Sequence, residues 1–186
     1  MLNELRFSLD EWHKIKEYAD SKEITLFSTV NSPSGIEYAE EIKLEAYKLS
    51  SWDYNYISLW EKIAMLNKPM IIDTGPVDSL DVAKSMKIMK EANNDKSLLV
   101  HCFHTHEYSE MNMKAIPYMK KAFDSLVGYS SRDQNSETDI MSIPLGAVYL
   151  EKRLTIDRKL PGHHHDVSME PAEFKEYVSS MKNIKE

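Results

Sequence analysis

The sequence predicts an α/β protein built on a parallel sheet. Three observations carry this expectation. Short apolar runs bounded by turn residues recur along the chain, stretches with a helical apolar period separate most of them, and successive runs begin roughly 20 to 30 residues apart, the length of a strand, a loop and a returning helix. The runs are ITLFSTV (24–30), AYKLSSW (46–52), PMIIDTG (69–75), SLLVHCF (97–103), SLVGYSS (125–131) and GAVYLEKRLTI (146–156), each read as a strand. Their nearly continuous apolar character suits strands covered by helices, in either an open doubly wound sheet or a closed barrel.

The helices carry their own signals. Ser8 and Glu11 in SLDEWHKIKEYA have the spacing of a capping box, so a first helix is expected there. In SLDVAKSMKIMKEA, Val82, Met86 and Met89 share one helical face, and Ser79 is the expected cap. PAEFKEYVSSMK (171–182) opens with proline at a position that favours a helix start. Parallel strands gather polar residues from their C-terminal ends at one mouth, where function is normally built.

Composition bounds the function classes. The chain has 186 residues, 42% hydrophobic and 28% charged, as expected for one globular domain spanning 1–186. No stretch approaches the ~20 consecutive apolar residues of a membrane helix, and MLNELRFSLDEW lacks the order of a signal peptide, so a cytoplasmic location with no membrane partner is expected. Cys102 is the one cysteine, which rules out a disulfide within the chain and a cysteine-only zinc site. The net charge of −7 and scattered basic residues argue against a nucleic-acid partner.

Read in order, FSTVNSPSGIEYAEEI, YKLSSWD, KPMIIDTG, LLVHCF, VGYSS, LGAVYLEKRLTID and PGHHHDVSMEPAEF resemble the sialic acid synthase (N-acetylneuraminate synthase) family over almost the whole chain. The resemblance implies a (β/α)8 barrel, the TIM type, in which phosphoenolpyruvate condenses with an open-chain N-acetylated amino sugar while a divalent cation, manganese or magnesium, polarises the aldehyde. The match begins at the family's third strand. It predicts an incomplete barrel of about six parallel βα units, without the first two units and without the antifreeze-like domain that usually follows. Strand edges left open in this way invite a partner, either a second copy of the chain or a complete paralogue.

The resemblance also assigns residues. Thr29, Lys48, Ser51 and Ser130 match positions that contact phosphoenolpyruvate, and Asp53 stands where the family has a glutamate near the reacting carbons, one methylene shorter. Other positions are altered. Asp73 replaces a phosphate-binding serine, His104 an asparagine and His164 an aspartate, while Arg132 and Arg153 occupy the positions of the two metal-ligand histidines. Arginine stays protonated and offers only donors, so it cannot ligate a cation, and no cofactor is expected in this chain. A carboxylate at Asp73 would repel phosphate, and an ion pair with Arg132 or Arg153 is the expected outcome. Together these changes predict a degenerate synthase relative without synthase activity.

HCFHTH (101–106) and HHH (163–165) concentrate six of the seven histidines near the expected mouth. Alternation along a strand places Cys102, His104 and His106 on one face and His101 on the other. Inherited strand-end residues and exposed loop histidines account for the pattern. The alternative is a histidine-rich module holding zinc or nickel through His104, His106, His163 and His164.

Overall fold

The computed structural model describes residues 6–102, 105, 107–131 and 136–184. Six strands join one sheet in chain order: β1 (Phe27–Thr29), β2 (Ala46–Leu49), β3 (Met70–Asp73), β4 (Ser97–Cys102), β5 (Leu126–Ser130) and β6 (Ala147–Glu151). Among the described residues, seven helices alternate with them: α1 (Leu9–Ser21), α2 (Pro33–Glu41), α3 (Ile57–Met65), α4 (Ser79–Glu91), α5 (Ala115–Phe123), α6 (Glu137–Ser142) and α7 (Pro171–Ile184). Every predicted run contains a strand. No helix among the described residues is long and apolar enough to cross a membrane. The contacts divide the fold into two compact units, one running through Asp73 and taking in Val77–Ser97, the other comprising Thr74–Pro76 and the chain from Leu98 onward.

In the first unit, α1 starts on the predicted capping box. The Ser8 hydroxyl accepts from the Glu11 N–H at 3.3 Å, and the Glu11 carboxylate accepts from the Ser8 N–H at 2.7 Å. For α4 the cap is Asp78, one residue before the expected Ser79. Its carboxylate accepts from the N–H groups of Leu80 and Asp81 at 2.8 and 3.0 Å, which makes Ser79 the first helical residue. Strands β1, β2 and β3 pair in parallel, with Thr29 beside Lys48 and Lys48 beside Ile71. Alternation then sorts the side chains. Tyr47, Leu49, Met70 and Ile72 are fully buried on one face, and the Tyr47 hydroxyl bonds to Glu40 of α2, so the helices cover that face. Thr29, Lys48, Ile71 and Asp73 share the other face.

In the second unit, β4, β5 and β6 pair in parallel, with Cys102 opposite Ser130 and Ser130 opposite Glu151. Leu99, His101, Val127 and Tyr129 form a buried face against the following segments, marked by a His101 Nε2 contact of 2.7 Å with the Met111 carbonyl. The opposite face carries Cys102, Ser130, Tyr149 and Glu151, as alternation predicts for Cys102 and His101. A bulge lies beside Gly128: Ala147 pairs with Val127 but Tyr149 pairs with Gly128, which leaves Val148 as the extra residue on β6. A Cβ on Gly128 would stand 2.7 Å from Cδ1 of Tyr149, so the missing side chain is what lets the tyrosine ring lie across β5.

Candidate functional site

The first unit brings three of the predicted residues to one strand-end region. Lys48 Nζ lies 3.2 Å from Asp73 Oδ2, with both side chains largely shielded at 13% and 16% exposure. Asp73 therefore has a cation within its own unit, one strand away. The register explains the contact. Lys48 is level with Ile71, so Asp73 is its diagonal neighbour on the same face. Thr29 is beside Lys48 on β1 and exposed.

Immediately after β2, Ser50 caps a single 3-10 turn over Ser51–Asp53 by accepting from the Trp52 N–H at 3.3 Å. Ser51 and Asp53 on this turn are half-buried. Burial pushes the Asp53 carboxyl above its ordinary value. A partly desolvated carboxyl has the chemistry of a proton donor or acceptor. The Asp53 carbonyl is held from behind by the Trp60 indole N–H at 3.1 Å. A cavity of about 440 Å³ in this unit opens between α1 and β1 beside Trp12 and Val30, and neither Lys48 nor Asp73 lines it.

The second unit holds a carboxylate that the sequence reading did not single out. Glu151 accepts from the Ser130 hydroxyl at 3.1 Å through one oxygen and from the Tyr149 hydroxyl at 3.1 Å through the other. Ser130, predicted to contact an anion, is thus committed to a carboxylate of the protein. On the opposite side of the same strand ends lies a buried ionic cluster. Lys152 Nζ is 2.6 Å from Asp139 Oδ2, with side-chain exposures of 2% and 0%, and Ser131 bonds to both ions. The Lys152 ammonium also sits 5.5 Å from the centre of the Tyr177 ring.

The histidines separate. His101 is buried, and its Nε2 contacts a carbonyl, which only accepts, so that nitrogen carries the proton. Burial lowers its pKa more than this bond raises it, and the ring is held neutral. His165 Nδ1 is 2.8 Å from the Thr155 hydroxyl. His163 and His164 are exposed in the loop before α7. His104, His106 and Arg132 lie outside the described residues, while Arg153 is half-buried just after β6. No cluster of three or more histidine, cysteine, aspartate or glutamate side chains that could hold a metal occurs among the described residues. At the positions where the resemblance expects a divalent cation, the arginines do not fit that ion.

Comparison with known proteins accords with this arrangement of strands. The chain is 30% identical over 186 residues to the uncharacterized protein MJ1065 of Methanocaldococcus jannaschii, covering 99% of this chain and 55% of that one. It is 28% identical over 190 residues to the N,N'-diacetyllegionaminic acid synthase of Campylobacter jejuni, covering 99% of this chain and 56% of that enzyme. The chain spans about half the length of these curated relatives. Among solved structures, the N-acetylneuraminic acid synthetase of Leptospira borgpetersenii in complex with citrate superposes with a TM-score of 0.90 at 26% identity, over 96% of this chain and 63% of that one. This likeness makes the fold an α/β sheet of the TIM-barrel type, as predicted. The family model for the NeuB family matches residues 1–186, and the chain belongs to that family.

Proposed function

We propose that this chain is a NeuB-family protein whose anion site is neutralised by its own side chains, so that it does not itself condense phosphoenolpyruvate with an amino sugar. The observation that carries this reading is the Lys48–Asp73 contact at 3.2 Å. Phosphoenolpyruvate is a small, highly charged anion and needs a cation that faces it. A carboxylate that close to the ammonium cancels the attraction and repels each phosphate oxygen that approaches. Two further features point the same way. The Ser130 hydroxyl donates to Glu151, and Arg153 supplies only donors where the resemblance expects a metal ligand. The relatives named as synthases make the ancestral chemistry the reference for a test.

The test is a calorimetric titration of phosphoenolpyruvate into the wild-type chain and into Asp73→Ser, alongside an assay of phosphate release with N-acetylmannosamine and manganese. The wild type is expected to show neither binding nor turnover. Asp73→Ser, which leaves Lys48 facing a hydroxyl, is expected to bind at least ten-fold more tightly than the wild type, the equivalent of ~1.4 kcal/mol. Turnover by the wild-type chain alone would overturn the reading. So would equal affinities in the two proteins.

A further inference from the structure

Behind the turn that carries Asp53, the first unit encloses a small cavity of about 190 Å³ between α3 and α4. Tyr54 lines it. This residue is only 7% exposed, and its buried hydroxyl has no hydrogen-bond partner in the protein. A buried phenol in that state is unusual, because a lost hydrogen bond to water is normally replaced by one inside the fold. The remaining walls are mostly apolar, with Asn55 and the Ser85 hydroxyl, which acts on the Tyr54 phenol, as uncharged polar groups among them. Ile57 and Ile88 are aliphatic, and the Trp60 ring stands edge-on to Tyr54 with centroids 5.1 Å apart. At the rim, Lys84 pairs with Asp81 at 2.8 Å, so the entrance presents two charges that cancel.

These features define a ligand class. A charged molecule would find no counter-ion inside, and a purely apolar one would leave the Tyr54 hydroxyl unsatisfied. We propose that this cavity is a binding site for a small, uncharged, planar molecule that offers a carbonyl or ring-nitrogen acceptor to the Tyr54 hydroxyl and lays its flat face among Ile57, Trp60 and Ile88. Its place in the fold gives it leverage. Tyr54 directly follows Asp53, and the Trp60 indole N–H holds the Asp53 carbonyl at 3.1 Å, so an occupant braces the turn that presents Asp53. The inference does not depend on whether the Lys48–Asp73 site binds phosphoenolpyruvate.

The probe for the test is 2-pyridone, which is planar, uncharged and carries one carbonyl acceptor. It is titrated to millimolar concentration into the full chain while the Trp60 indole N–H is followed by NMR. The wild type is expected to show a saturable shift of that resonance. Tyr54→Phe keeps the ring and the packing, and the dissociation constant should rise roughly five-fold, as for loss of one neutral hydrogen bond. Ile88→Phe fills the space and should abolish the shift. Near-UV circular dichroism checks that each variant is folded, and Tyr54→Phe alone decides the matter if Ile88→Phe is not. An unmoved Trp60 resonance in the wild type, meaning a cavity that holds water only, would overturn the proposal. Equal dissociation constants for wild type and Tyr54→Phe would overturn it too.

Discussion

Replacing Lys152 by methionine tests the strongest electrostatic feature of the fold. The substitution removes a charge whose side chain is 2% exposed and leaves Asp139, 0% exposed, without its ammonium at 2.6 Å. The Ser131 hydroxyl would still donate to the Asp139 carboxylate, at 3.1 Å, but a hydroxyl cannot neutralise a buried anion. Removing one partner of a buried pair costs ~3–5 kcal/mol because the surviving charge loses compensation that buried surroundings do not replace. For a chain of this size each kcal/mol moves the thermal midpoint by about 2–4 °C, so the expected fall is roughly 6–20 °C. Urea unfolding followed by circular dichroism gives the free energy directly. The double substitution Lys152→Met with Asp139→Leu removes both ions, and it should recover most of the loss, since an apolar replacement of a whole buried pair is often neutral. A matched control is Lys87→Met. Lys87 pairs with Glu91 at 3.5 Å in full view of solvent, and no measurable change is expected there. If Lys152→Met stayed within about 1 kcal/mol of wild type, or if the double variant were no better than the single, the cluster would not be the buried ion pair described.

Two other substitutions probe the strand ends. His101 has an ordinary pKa of 6.5 that burial lowers in the folded chain. As pH falls below 6.5 the unfolded chain takes up a proton that the folded chain refuses, so stability should decline from there down to the folded pKa, with a slope of up to ~1.4 kcal/mol per pH unit. His101→Gln can still donate to the Met111 carbonyl and should flatten that limb relative to wild type, whereas parallel pH profiles would show that His101 titrates normally. Gly128→Ala places a methyl group 2.7 Å from the Tyr149 ring and 3.0 Å from the Tyr149 carbonyl oxygen, and an overpacking cost of ~1–3 kcal/mol is expected in urea unfolding. An alanine variant as stable as wild type would mean that Tyr149 does not lie across Gly128.

The six strands were legible because each is an apolar run, and burial of both faces is what makes such runs continuous. Their ends were less legible. The run 24–30 shortens to Phe27–Thr29, and the run 146–156 stops at Glu151, after which Leu154 forms an isolated bridge with Met169 of the loop before α7. Helix α6 gave no apolar period, and its inward residues show why. Thr138, Asp139 and Ser142 are the buried ones, so this helix is anchored by polar contacts to Ser131 and Lys152. A hydrophobic pattern cannot reveal a helix whose buried face is polar.

The same limit governs the site. Lys48, Ser51 and Asp53 were assigned from the family resemblance of one segment, but what each side chain faces depends on the neighbouring strand and its register. Asp73 was paired in expectation with an arginine from a later strand, on the ground that opposite charges near one mouth should meet. Register supplies a cation that the pattern did not reveal, because a parallel pair that sets Lys48 level with Ile71 brings Asp73 within reach on the same face. Glu151 escaped notice for a related reason. Its role depends on Ser130 across the ladder and on Tyr149 two residues earlier, placed by the bulge beside Gly128. Each carboxylate thus engages a donor of its own unit, Asp73 the Lys48 ammonium and Glu151 the Ser130 hydroxyl. Asp73→Ser therefore frees the Lys48 ammonium while Glu151 still engages Ser130 within its own unit, and Glu151→Gln tests that second contact separately, since a neutral amide keeps an acceptor for the hydroxyl but not the charge.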